Sequence, residues 1–387
     1  MRIFHLIDSL IASGGAENGL VRESVALSGR HEQRVMILYD IEELKPPLQE
    51  ASIDVVSLRF PPGSGSRSWP KALGPVRREI NAFQPDVVQT SLFLGNLVGQ
   101  VATRGMGIPV VSNLVLSGDR ELLRRYQPGA DTFRATLLRG IAGMAARRRR
   151  IYFRALTEEV RATNADLLGV SPERIRVIPR GVPSPGNAPP KSRESLGLPP
   201  GRLVMNVGRL ASQKNQVDLI RAFQIIEREV PGSHLVIVGR DWDAGDAVRA
   251  EIDRLGLSGS VSLPGQRPDV SDLLAHADVF AFTSLMEGLG TSVLEAMAAG
   301  VSVVAYDIPT IREATLDGAY ARLVPTGDIG MLASEVISEL TTPTDLGDRA
   351  RRWVAEERSV ATVANLVERL FIDVVEGWDG GDETPGR

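Results

Sequence analysis

A chain of 387 residues is longer than one ordinary hydrophobic core serves, and it implies two domains of roughly 190 residues each. A hydrophobic content of 43%, a charged content of 24% and a net charge of -4 describe a soluble globular protein and exclude bulk electrostatic binding of nucleic acid. The absence of cysteine excludes disulfides, thiolate catalysis and Cys-ligated zinc, and makes a reducing cytoplasm the simplest setting.

The first eight residues, Met1 to Asp8, read as a strand rather than a secretion signal. No window of about eighteen apolar residues occurs anywhere, so a membrane-spanning segment is not expected. The strand Arg2 to Ile7 runs into a loop containing Gly14-Gly15, and a helical pattern follows to about Leu27. A glycine pair before a helix is either a plain turn or a place where backbone amides meet an anion, and this one lacks the G-x-G-x-x-G dinucleotide pattern.

Apolar strands recur at Arg34 to Tyr39, Ile53 to Leu58, Asp86 to Thr90, Pro109 to Asn113, Ile151 to Leu156 and Arg176 to Pro179, with helical stretches between most of them. Such alternation specifies an α/β fold with a doubly wound parallel sheet. Within this half, 119–154 holds ten arginines against three acids. Phe133, Leu137, Leu138, Ile141, Met144 and Ala145 fall on one side of a helix whose Arg134, Arg139 and Arg147-Arg-Arg-Arg150 can face outward. That pattern suits either a core-packed helix with a solvated face or peripheral contact with an anionic membrane from its cytoplasmic side.

The stretch from Gly181 to Pro190 is rich in proline, which has no N–H to donate, and reads as an interdomain linker. A second series of strands begins at Arg202 to Gly208 and continues at His234 to Gly239, Ser260 to Leu263, Asp278 to Phe282 and Val301 to Ala305. Two doubly wound halves, expected over 1–182 and 183–359, imply a cleft between them. After the strand Leu203 to Val207, Gly208-Arg209 leads through four residues to Lys214 at the start of a helix expected from about Gln216. Two cations oppose the dipole at a helix start unless an anion binds there, and together they can neutralise the charge developing on a diphosphate leaving group.

The stretch that organises the second half is Thr283 to Gly300. Asp278 to Phe282 reads as a buried strand, Gly288 and Gly290 as a turn, and Thr291 or Ser292 as the N-cap of a helix that carries Glu295 in its first turn. Glu287 precedes the turn, so two carboxylates border one crevice at a strand's carboxyl end, where the amides of Gly288, Leu289, Gly290, Thr291, Ser292 and Val293 favour a phosphate. The acidic pair Asp241 and Asp243 has the look of a metal-binding motif, but Arg209 with Lys214 makes a metal on the diphosphate redundant.

Glu287, seven intervening residues and Glu295, with Gly-Leu-Gly between and Ala-Met-Ala-Ala-Gly300 after, resemble the signature of the retaining GT-B glycosyltransferases of family 4; the Arg209 and Lys214 spacing resembles its second mark. The resemblance implies two Rossmann-like domains, the first for the acceptor and the second for the donor, with a helix near 360–375 crossing back to the first and a frayed tail over 380–387. It implies transfer of a hexose or N-acetylhexosamine from a nucleoside diphosphate sugar, UDP favoured over GDP, to a hydroxyl of a glycan, lipid-linked or small-molecule acceptor, with retention and without metal or other cofactor. Arg209 and Lys214 would hold the diphosphate, Glu295 the ribose, Glu287 and the amides of Gly288 to Thr291 the sugar, Gly14 and Gly15 the phosphates, and the loop with Arg267 would lie at the base. Many members carry a histidine after the strand equivalent to Pro109 to Asn113; here Asn113, Ser117 and Asp119 stand there instead, and His5, His31, His234 and His276 read as structural. Rival readings are a sugar-nucleotide epimerase of the same fold and a sugar-nucleotide-binding protein without turnover.

Overall fold

The computed structural model describes residues 1–61, 65–117, 119–126, 133–184 and 190–378. The chain falls into two compact units, Met1–Gly181 with Val360–Arg387, and Val182–Ser359. In the first unit the strands are β1 (Arg2–Ile7), β2 (Glu32–Tyr39), β3 (Asp54–Phe60), β4 (Val87–Ser91), β5 (Val110–Leu114), β6 (Ile151–Ala155) and β7 (Ile175–Val177). They form one parallel sheet in the order β3-β2-β1-β4-β5-β6-β7. The second unit holds β8 (Leu203–Val207), β9 (His234–Val238), β10 (Val261–Gly265), β11 (Val279–Phe282), β12 (Ser302–Tyr306) and β13 (Arg322–Val324), parallel in the order β10-β9-β8-β11-β12-β13.

The central strands β4, β5, β6, β11 and β12 are buried at every position, as expected where helices cover both faces of a parallel sheet. The strand order reverses between β1 and β4 in one sheet and between β8 and β11 in the other. At such a switch point the flanking helices lie on opposite faces, so the loops after the two strands part and leave a crevice. In the second unit those loops are 208–215 after β8 and 283–290 after β11.

The helix Val360–Glu376 belongs to the first unit. Its Val363, Ala364, Val367, Leu370, Phe371 and Val374 repeat at helical spacing and pack against Ile3, Leu27, Val87, Val111, Tyr152 and Ile178. Glu368 on the same helix takes His31 Nε2 at 2.6 Å and an Arg30 guanidinium. His5 is buried between Gln89 and Gln33 at 2.7 and 3.0 Å, and His276 bonds the Lys191 carbonyl at 2.6 Å. Both are structural residues. The tail over 380–387 and the centre of the linker, residues 185–189, lie outside the described residues.

The arginine-rich stretch is not one solvated face. Arg154 is buried on β6, and Arg147, Arg148 and Arg150 donate to the carbonyls of Leu168, Gln100 and Gly107, which anchors them to their own unit. On the helix Phe133–Ala146, Leu138 and Ala145 are buried but Met144 is 66% exposed, so the apolar stripe is narrower than its spacing implies. Phe133, Arg134 and Leu137 are described only as helical backbone.

Candidate functional site

At the carboxyl end of β8 the chain passes Gly208 and Arg209, makes a 3-10 turn at Ser212–Lys214, and enters the helix Gln216–Glu229 through Asn215 in the left-handed conformation. The loop after β11 is laced to it. Leu285 N donates to Gln213 O at 2.8 Å, Thr283 Oγ1 to Lys214 O at 3.1 Å and Ser284 Oγ to Gln213 O at 3.1 Å. This lacing brings the Lys214 ammonium onto Glu287 Oε1, and Ser284 Oγ donates to the same oxygen at 2.6 Å. The side chains are 15% and 10% exposed, so the pair is neither fully screened by water nor sealed from it. An ammonium carries three N–H donors, and the Glu287 bond uses one of them. The Phe282 ring lies under the same ammonium at 5.4 Å.

Arg209 is held differently. Its guanidinium stacks on the Trp242 ring at 4.9 Å, and Arg240 stacks on that ring at 4.9 Å as well. Trp242 is 57% exposed, an unusual position for indole unless something uses its face. A strap fixes the loop that carries it: Ser212 N and Oγ donate to Asp243 at 2.9 and 2.8 Å, and Leu210 N to Arg240 O at 2.9 Å. Burial works to raise the Asp243 carboxyl, but the Ser212 bonds and the charge of Arg209 outweigh it and hold the carboxyl below its ordinary range. Asp241 takes Arg249 at 2.9 and 3.1 Å. Both acids of the pair that resembled a metal motif therefore have structural partners.

The turn into the helix Thr291–Ala298 corrects the sequence expectation. Gly290, at φ +75°, is the N-cap, and no side chain caps the helix. Left-handed backbone costs a non-glycine residue about 1 kcal/mol or more, so glycine lets the chain swing directly into the helix where a Thr or Ser cap had been expected. The helix starts one or two residues earlier than a Thr291 or Ser292 cap would place it, and Glu295, half-buried, lies in its second turn rather than its first. The Val293 amide is not available to a ligand, because it donates to Gly290 O at 2.9 Å. Those of Thr291 and Ser292 are the first two helical N–H groups, which have no intrahelical acceptor. A Cβ added at Gly290 would stand 2.3 Å from Ile311 Cδ1. Gly290→Ala is therefore expected to lower stability by about 1 to 3 kcal/mol and to weaken ligand binding at this turn; thermal unfolding together with calorimetric titration checks both.

Arg267, expected near the base, is clasped by Asp269 at 2.8 and 2.7 Å and reaches the Leu196 carbonyl at 3.3 Å. Its pairing orients the loop after β10, at the edge of the sheet.

In the first unit, Gly14 caps the helix Gly15–Leu27, and Glu17 in its first turn folds back so far that a Cβ on Gly14 would meet its Oε2 at 2.0 Å. The helix thus carries its own anion near its start. Asn113 is buried on β5 and donates to Ser91 Oγ at 2.8 Å. Asp119 caps the helix Arg120–Tyr126, its carboxylate accepting Leu122 N at 2.9 Å, and the Ser117 hydroxyl accepts Asp119 N at 3.2 Å. Sequence reasoning missed the Trp242 stack, the Asp243 strap and, in the first unit, Arg180; the run Gly239-Arg-Asp-Trp-Asp243 was the signal for the first two.

Comparison with known proteins places these features in a family. The sequence profile described as "Glycosyl transferases group 1" matches residues 190–359, and "Glycosyl transferase 4-like domain" matches 14–181. Among curated relatives, the 2-deoxystreptamine N-acetyl-D-glucosaminyltransferase of Streptomyces fradiae is 29% identical over 322 residues, covering 79% of this chain and 72% of that one. The D-inositol 3-phosphate glycosyltransferase of Rhodococcus erythropolis is 33% identical over 207 residues, 50% of this chain and 46% of its own. The match to that relative spans about half its length. Among solved structures, Anabaena Alr3699/HepE in complex with UDP-glucose superposes with a TM-score of 0.80 at 22% identity, over 96% of this chain and all of that one. WaaG, a glycosyltransferase involved in lipopolysaccharide biosynthesis, gives 0.74 at 17% identity, over 97% of this chain and all of that one. Likeness at such identities establishes the two-domain α/β architecture.

Proposed function

The chain belongs to the group 1 glycosyltransferases of family 4 and has their GT-B fold, and from that premise we propose that it moves a hexose or N-acetylhexosamine from a nucleoside diphosphate sugar to an acceptor hydroxyl, with retention at the anomeric carbon. The single observation that carries the reading is the Lys214–Glu287 contact beside Arg209 at the switch point of the second sheet. It sets a cation for a diphosphate and a carboxylate for sugar hydroxyls within one hydrogen bond of each other.

In this reading Lys214 and Arg209 neutralise the leaving diphosphate, which removes the need for a metal there. Glu287 orients the sugar and keeps the ammonium in place, Glu295 meets the ribose, and the amides at Gly288, Leu289, Gly290 and Thr291 complete the donor cradle. Gly14 and Gly15 remain proposed phosphate contacts, in competition with Glu17. Asn113, Ser117 and Asp119 remain the proposed acceptor-side groups. With no histidine among them, the departing phosphate itself takes the acceptor proton, and the protein contributes position and charge stabilisation. A uridine base is favoured, since a neighbour of this fold was solved with UDP-glucose. The first test is a thermal-shift screen of nucleotide sugars followed by assay of nucleoside diphosphate release; binding without release under any acceptor would leave a non-catalytic binding protein as the better reading.

Peripheral contact with an anionic membrane is a separate proposal, supported by the arginine excess over 119–154 and the exposed Met144, and opposed by the backbone anchoring of Arg147, Arg148 and Arg150. No helix among the described residues is long and apolar enough to cross a membrane. Each basic residue near an anionic surface contributes about 1 kcal/mol, screened by salt. Sedimentation with liposomes of graded anionic content is expected to show binding at low salt that falls steeply as salt rises and weakens in Arg149→Glu. Protein left in the supernatant at low salt points to a soluble acceptor.

A further inference from the structure

Arg180 stands just after β7, 9% exposed, and among the described residues it makes no hydrogen bond or ion pair. Its neighbour Arg154 shows what burial of a guanidinium ordinarily demands. Arg154 grips both oxygens of Glu23 at 2.6 and 2.7 Å and donates to Ile178 O at 2.9 Å. Glu23 is thereby spent on Arg154 before Arg180 can use it.

The helix Gly15–Leu27 is bare where Arg180 rests. A Cβ on Gly15 would stand 3.2 Å from Arg180 Nη1, and one on Gly19 would stand 2.7 Å from its Cδ. The guanidinium is thus laid against the first turns of the helix, at the end where N–H groups lack intrahelical acceptors. Glu17 folds over Gly14, which leaves Arg180 rather than the helix end as the principal donor there. The charged groups that act on Arg180 are Arg154 and Arg22, which oppose its charge, and Glu23 and Glu17, which favour it without bonding to it. Burial, and after it Arg154, push the guanidinium down to about 10, so it is still charged at neutral pH. A buried guanidinium that makes no hydrogen bond is costly, and a ligand oxygen that accepts from it would relieve that cost.

Arg180 lines a recess shared with Gly19, Ser91, Asn113, Arg154 and Glu23, whose two carboxylate oxygens are both held by Arg154. Its free volume of about 10 Å³ admits one oxygen-sized group. We propose that Arg180 binds a phosphoryl group of a substrate, one terminal oxygen entering the recess and the remainder staying outside it. The planar fork of a guanidinium suits that geometry through charge-assisted hydrogen bonds. The phosphoryl group comes either from the donor diphosphate or from a phosphorylated acceptor.

The test uses the full chain, Arg180→Met and Arg180→Lys, with inorganic phosphate and UDP as probes in thermal unfolding and calorimetry. Phosphate is expected to raise the unfolding temperature of the wild type more than that of Arg180→Met, in which the Arg209 and Lys214 loop still binds anions, with Arg180→Lys between them. Without ligand, Arg180→Met is expected to unfold at or above the wild-type temperature, because it removes a buried guanidinium that makes no hydrogen bond. UDP affinity falling more than fivefold in Arg180→Met identifies the donor as the source, and UDP affinity unchanged identifies the acceptor. The proposal is overturned if phosphate shifts neither protein, if it shifts Arg180→Met as much as the wild type, or if Arg180→Met unfolds well below the wild type while Arg180→Lys does not, which marks a purely structural cation. Both readouts are independent of turnover, so they stand even if the proposed transfer reaction fails its own test.

Discussion

Replacing Lys214 with alanine is expected to weaken nucleoside diphosphate binding by about 10- to 150-fold, the equivalent of a charge-assisted hydrogen bond contributing roughly 1.5 to 3 kcal/mol. Arg209→Ala is expected to lose a similar amount, and the double variant to lose most measurable donor affinity. The two losses have different side effects. Removing Lys214 leaves the Glu287 carboxylate, at 10% exposure, without its cation and bonded to the Ser284 hydroxyl, so Lys214→Ala is also expected to lower the unfolding temperature. Removing Arg209 uncovers a half-exposed indole and takes a positive charge from beside Asp243, and the loss of stability is expected to be smaller than for Lys214→Ala. Calorimetric titration with UDP and GDP in the presence of a chelator measures the affinities without turnover. Full donor affinity in the double variant would contradict the assignment of the diphosphate to this loop.

The second large effect concerns the two glutamates, which the structure places in different surroundings. Glu287 is nearly buried and bonded to Lys214 and Ser284; Glu295 is half-buried in the second helical turn. Glu287→Gln keeps the shape but removes the charge that holds the ammonium, and is expected to lower kcat by about two orders of magnitude with little change in donor KM. Glu295→Gln is expected to raise donor KM by about tenfold and to leave kcat near the wild-type value. Because Lys214 and Glu287 touch, their double-mutant cycle should show coupling of about 1 kcal/mol or more, whereas Lys214 with Glu295 should be close to additive. Equal, affinity-only losses for both glutamates would sink the division of roles.

These expectations rest on residues that were legible and on partnerships that were not. The apolar runs at β8 and β11 are five and four residues long and buried at nearly every position, so periodicity alone exposes them, and the chemistry-bearing loops follow directly. The Lys214–Glu287 contact joins positions 73 residues apart and requires β11 to lie beside β8, a strand order that no local pattern contains. The strand β13, three residues at the sheet edge, is too short for a periodic signal. The cap lies at Gly290, one or two residues before the expected Thr291 or Ser292, because Thr and Ser are the preferred caps and a left-handed glycine overrides that preference here. Arg154 was counted with a surface stretch because density in sequence ignores burial, while its partner Glu23 lies 131 residues away. Arg180 left no trace at all, since an arginine without a partner is visible only when its surroundings are known.

The measurement that bears most directly on the central claim is release of nucleoside diphosphate from UDP- and GDP-sugars, followed in the presence of excess chelator by the wild type and by the Arg209→Ala, Lys214→Ala double variant, with the anomeric configuration of any product read by NMR. The account predicts release by the wild type that chelation does not abolish, a product that keeps the donor's anomeric configuration, and loss of release in the double variant. Release that stops on chelation, that inverts the configuration, or that persists undiminished in the double variant would contradict it.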